Sequence, residues 1–75
     1  MEHVLAAAKA YRKSARLSQA DFAIRFGLQP DTYRQWERGR RRPDMASVVL
    51  LRIIIAEPEM VAEVVKTACA APASR

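Results

Sequence analysis

The stretch Ser18–Arg42, SQADFAIRFGLQPDTYRQWERGRRR, holds both of the chain's glycines, Gly27 and Gly39. Each falls where a short amphipathic run stops, and glycine most easily takes the left-handed conformation that ends a helix. The runs before them leave room for about eight or nine helical residues each. Helices that short are not stable alone in water and must be held by neighbours. The chain is thereby constrained to a bundle in which two short helices meet at a tight turn.

The first short helix has Ser18 as its expected N-cap. Ser18-Gln19-Ala20-Asp21 fits the capping-box pattern, with aspartate shorter than the preferred glutamate. Phe22, Ala23 and Phe26 face inward, whereas Ile24 falls off the buried side. Ala23 and Gly27 are small enough to let the two short helices cross closely. The second helix opens at Pro30, whose missing N–H is no loss in a first turn, with Gln29 a weak N-cap before it. At 100° per residue, Thr32, Tyr33 and Trp36 fall on one side of the run to Arg38. Asp31, Arg34, Gln35 and Arg38 cluster on the other, within an arc of about 100°. Their position opposite the polar face favours core packing for Tyr33 and Trp36 over stacking on unpaired bases. The polar face offers two guanidiniums, an amide and a carboxylate, all able to bond base edges or phosphates.

The flanks read as support. Residues 2–15 form a helix rich in alanine, with Leu5, Ala8, Tyr11 and Ala15 as its buried stripe and Arg12 at the edge of that stripe. After Arg40-Arg41-Arg42, Pro43 stiffens the exit and Asp44 caps a helix over about 45–56. That helix is apolar around most of its circumference, the pattern of an element buried on two sides. Glu57-Pro58 breaks it and starts a last helix, in which Val61, Val64, Val65 and Ala68 can cover the core or a second subunit. Strand signals, repeats and linkers are absent. The expectation is an all-α, compact five-helix bundle over 1–69 with a flexible tail at 70–75.

Composition narrows the function. The net charge of +5 is unevenly placed: residues 9–42 hold ten Lys/Arg against three acids. A basic stretch in a small domain points to a polyanion. One cysteine, Cys69, excludes a disulfide framework and reads as a small, partly buried residue. His3 is the only histidine, so no metal site or Cys/His nucleophile is supported. The acids sit at helix starts and on solvent faces rather than in catalytic pairs. Neither an enzyme nor a cofactor is expected. No secretory leader is visible. The most apolar run, VVLLRIII, has eight residues and contains Arg52, far short of a membrane span. A cytoplasmic protein without membrane contact is the expectation.

LSQADFAIRFGLQPDTYRQWERGRRRP resembles the helix-turn-helix of the phage-repressor/Cro-like (XRE-type) family of bacterial regulators. The matching residues are Leu17-Ser18-Gln19, Phe22-Ala23, Gly27, Leu28, Thr32, Trp36-Glu37, Gly39 and Pro43, and the likeness extends over about Tyr11 to Lys66. LLRIIIAEPEMVAEVV further resembles the tail of HigA-like and MqsA-like antitoxins, which repress their own operons. The resemblance implies a lambda-repressor-like fold in which the Pro30 helix enters the major groove and the Ser18 helix lies across the backbone. Carried over by position, it implies base reading by Pro30, Asp31 and Gln35, with Arg34 next. Backbone contacts fall to Ser18, Gln19 and Gln29, and to the basic exit Arg38, Arg40, Arg41 and Arg42. It also implies an ion pair, Arg12 with Glu37, tying the first helix to the end of the third. Two residues depart from the pattern. Asp31 brings a negative charge that either accepts from a cytosine or adenine amino group or merely complements the helix N-terminus. Pro30 has no polar group, so contact there would be apolar.

The expected function is that of a sequence-specific repressor of double-stranded DNA, binding an inverted repeat as a homodimer. Half-sites would lie about one helical turn (~34 Å) apart. Candidate dimer contacts are Ile54, Val61, Val64 and Val65. With no room for a sensor domain, a small-molecule effector is not expected. Two alternatives stay open: an antitoxin whose main role is neutralising a partner toxin, and a nonspecific binder relying on the arginine cluster.

Overall fold

The computed structural model describes the backbone of residues 2–70 and the side chains of residues 4–68. Five helices follow one another: α1 (Glu2–Ser14), α2 (Gln19–Arg25), α3 (Pro30–Glu37), α4 (Met45–Ala56) and α5 (Pro58–Ala70). The expectations for His3, Cys69 and residues 71–75 lie outside what is described; Ala70, expected in the tail, belongs to α5.

Local chemistry explains the boundaries. Ser18 caps α2 by accepting from the Asp21 N–H at 2.9 Å, the serine half of a capping box. Asp44 caps α4 in the same way, accepting from the Ser47 N–H. Gln29 precedes α3 without a side-chain cap bond. At the other ends, α1, α2 and α3 close with one motif. A 6→1 bond joins Leu17 N–H to Arg12 C=O at 3.0 Å, Leu28 N–H to Ala23 C=O at 2.7 Å and Arg40 N–H to Gln35 C=O at 2.9 Å. Each is accompanied by a 5→2 bond, the Schellman arrangement. The left-handed residue is Gly27 (φ +76°) after α2 and Gly39 (φ +76°) after α3, but Arg16 (φ +62°) after α1.

The core combines Val4 and Ala8 of α1, Phe22, Ala23 and Phe26 of the α2 segment, and Tyr33 and Trp36 of α3. Val48, Leu51 and Ile54 of α4 and Val61 of α5 complete it. Aromatic rings join the first three helices, with centroids 6.3 Å apart for Tyr11–Phe22, 4.9 Å for Phe22–Phe26, 4.8 Å for Phe22–Tyr33 and 6.2 Å for Tyr33–Trp36. α1 packs on α4, α2 on α3, and α4 on α5.

Four expectations need correction or qualification. The α1 stripe is carried by Val4 and Ala8, with Leu5 and Tyr11 beside it; Ala15 is exposed because it lies beyond the helix end, in the Schellman turn. α4 is covered by α1 and α5 and buries Val48, Leu51 and Ile54, with Leu50 and Ile55 partly buried, but Met45, Val49 and Ile53 stay exposed, so its apolar circumference is wider than the part these two helices cover. Ile54 is 0% exposed and Val61 6%. Both are held in the core of one chain, which removes them from the candidate dimer surface; Val65 is partly buried against the core and Val64 is open. Gly27 lies against α5 rather than serving an α2–α3 crossing, since a Cβ there would meet Val65 Cγ2 at 3.2 Å.

Candidate nucleic-acid interface

α3 has eight residues and two unlike faces. Tyr33 is 0% exposed and Trp36 6%, so the aromatic side is fixed in the core. On the opposite side, Asp31 and Arg38 are exposed, and Pro30, Arg34 and Gln35 are partly exposed. Arg40, Arg41 and Arg42 follow, all exposed, before Pro43 turns back into the protein and is buried. The basic exit is thus a short bridge held at both ends, by the Gly39 turn and by Pro43.

The orientation of α3 is set by Glu37. This carboxylate accepts from Arg12 Nε at 2.9 Å and Arg12 Nη2 at 3.0 Å, a bidentate pair. Gln19 Nε2 donates to it at 2.9 Å, and the Tyr33 hydroxyl also donates to it. The Glu37 side chain is 3% exposed and that of Arg12 11%. Arg12 Nη1 makes one further bond, to the Leu17 carbonyl at 3.0 Å, so the same guanidinium holds the turn between α1 and α2. Among the described residues no buried side-chain polar atom is left without a partner. The network therefore joins α1, both ends of the α2 entry and the last turn of α3 through one fully engaged acceptor.

Its electrostatics follow from that geometry. Burial alone would raise the Glu37 carboxyl, but the hydrogen bonds from Arg12, Tyr33 and Gln19 outweigh it and hold the group below the usual glutamate value. Burial and the adjacent Glu37 carboxylate push the Tyr33 phenol well above its ordinary value. The hydrogen bond to Glu37 raises the Arg12 guanidinium despite partial burial. Glu37 is thus ionised, and Tyr33 and Arg12 protonated, throughout the neutral range.

Ser18 is exposed and uses its oxygen as a cap acceptor, leaving its hydroxyl hydrogen free to donate. Gln29 is exposed at the start of α3. Arg34 Nη2 donates to the Asp31 carboxylate across the outward face. Sequence reasoning placed Gln19 only as a backbone contact and Tyr33 only as core. The fold adds both as donors to Glu37. Tyr33 precedes Glu37 by four residues, a spacing that puts them on one helix face and would have suggested the contact; no local signal marks Gln19.

A family model described as helix-turn-helix matches residues 9–52, a span from the middle of α1 into α4 that includes the whole Glu37 network. Neither a curated protein nor a solved structure matches the chain. Among the described residues no helix is long and apolar enough to cross a membrane.

Proposed function

From the premise that this chain belongs to the XRE/Cro-like helix-turn-helix family and is a DNA-binding regulator, we propose that it represses transcription by binding an inverted repeat as a homodimer. The observation that carries the reading is the division of α3: an aromatic side locked in the core and a polar side left to solvent. In this reading α3 enters the major groove, where Asp31, Arg34 and Gln35 meet base edges and Pro30 makes an apolar contact. Ser18, Gln19 and Gln29 lie at the backbone. Gln19 spends one amide hydrogen on Glu37 and has a second for a phosphate. Arg38, Arg40, Arg41 and Arg42 clamp the phosphates beyond the helix, supplying affinity without sequence information.

One α3 reads too few bases to select a genomic site, and two-fold pairing doubles the contacts. Val64 and Met60, 59% and 51% exposed on successive turns of α5, are the pairing surface in this proposal. A second reading, as an antitoxin that neutralises a toxin and represses its own operon, is favoured by one observation. α4 carries a separate exposed apolar line, Met45, Val49 and Ile53, available to a protein partner.

Selection of bound duplexes from a random pool at physiological salt tests the proposal. An enriched palindrome supports it. A pool that stays flat, with steep salt dependence, would leave only nonspecific phosphate binding.

A further inference from the structure

The outward face of α3 carries an ion pair. Arg34 Nη2 donates to Asp31 Oδ1, three residues earlier and one turn nearer the helix N-terminus. The Asp31 side chain is 84% exposed and that of Arg34 36%, so the pair stands among the residues of the proposed reading face and adds nothing to the core. In water such a pair is weak. Inside a groove that excludes water the same contact strengthens. Two consequences follow. A lone carboxylate carried into a groove walled by phosphates is repelled, whereas one that holds a guanidinium is neutralised. The guanidinium is also a rigid plane with five N–H donors. Engaging Nη2 restrains that plane relative to the helix and leaves donors at Nη1, Nε and Nη2 itself.

We propose that Asp31 is the positioning residue for Arg34, and that the two act together as a reader of guanine. Arg34 presents its fork to guanine O6 and N7, the arrangement arginine most often adopts in the major groove. The second carboxylate oxygen of Asp31 accepts from the amino group of a cytosine or adenine at a neighbouring position. Asp31 then sharpens selection twice. It aims the guanidinium, and it penalises sites where the neighbouring base offers only acceptors. This inference rests on the proposed docking of α3 in the major groove.

The test is selection from a random duplex pool, followed by affinity measurements on the enriched and on unselected DNA. It uses the full chain and the variants Arg34→Ala, Asp31→Asn, Asp31→Ala and Arg34→Ala/Asp31→Ala, each checked for helical content. The unaltered chain should enrich a site containing a guanine whose preference falls on the order of tenfold or more in Arg34→Ala. Both Asp31 variants should weaken preference for that same guanine several-fold while binding unselected DNA more tightly. Removing Asp31 should raise affinity more in the Arg34→Ala background, where the carboxylate is unpaired, than in the unaltered chain. A residue that only complements the helix N-terminus would change stability and leave base preference alone. The inference is overturned if the Asp31 variants keep the full guanine preference, or if removing Asp31 has the same effect in both backgrounds. Failure of the unaltered chain to enrich any sequence would overturn the major-groove reading together with it.

Discussion

Replacing Glu37 by alanine removes the acceptor of four hydrogen bonds at once. It leaves the Arg12 guanidinium 11% exposed with one remaining bond, to the Leu17 carbonyl. Removing one partner of a buried ion pair costs about 3–5 kcal/mol, mainly because the other charge stays desolvated and unpaired. The retained bond and slight exposure of Arg12 place Glu37→Ala at the lower end, about 3 kcal/mol. In a 75-residue domain that lowers Tm by about 12–24 °C and uses much of a total stability of about 5–15 kcal/mol. The loss should also be non-additive. Urea unfolding followed by circular dichroism for Glu37→Ala, Arg12→Ala and the double variant measures the coupling. The double variant should lie close to either single one, because its partners are lost together. The pH dependence has a defined sign. The folded carboxyl lies below its unfolded value, so its contribution is complete above about pH 4.3 and is lost as pH falls through the folded value. Stability of Glu37→Ala should therefore vary less with pH in that acid range. A Glu37→Ala protein within about 0.5 kcal/mol of the unaltered chain, or strict additivity in the cycle, would refute the reasoning.

Other perturbations separate conformational from packing effects. Gly27→Ala and Gly39→Ala both place a side chain at φ +76°, but only at Gly27 does the new Cβ meet another residue, Val65 at 3.2 Å. Gly39→Ala should cost about 1 kcal/mol and Gly27→Ala clearly more, read from the same urea midpoints. Arg16→Gly should raise stability by about 1 kcal/mol, since it relieves the left-handed strain of a non-glycine residue at φ +62°; an unchanged midpoint would count against strain there. Val64→Asp should leave the circular dichroism spectrum and melting of the single chain unchanged, because Val64 is 59% exposed. In sedimentation equilibrium it should abolish the proposed dimer, and with it tight binding to a palindrome.

What could be read from the residues was whatever local chemistry determines. Ser18, Asp44, Gly27, Gly39 and Pro58 mark helix ends through side-chain acceptors or backbone freedom that act within a few positions, and the helices begin and end there. α3 was legible for a further reason: polar and aromatic residues alternate on it with a clear helical period. α4 has no such contrast. Apolar residues on nearly every side give no direction, so Ile54 could be taken for an interface residue although it is fully buried. Alanines on α1 blur its stripe in the same way, and Val4 rather than Ala15 completes it. Gln19 meeting Glu37 and Gly27 meeting α5 are contacts between distant segments, and no short-range pattern carries them.

The opposite sides of α3 divide two burdens that proteins often load onto the same side chains. Tyr33, Trp36 and Glu37 anchor the helix, while the side chains of Asp31, Arg34 and Gln35 form no hydrogen bond with those anchors and lie exposed or partly exposed. The outward residues are therefore interchangeable at little thermodynamic cost, as surface substitutions generally are. A library randomised at positions 31, 34 and 35 should melt within a few degrees of the parent, while its members part company in the duplexes they retain. On the proposed reading, this helix is a scaffold on which target preference can drift, or be retargeted by design, without renegotiating the fold.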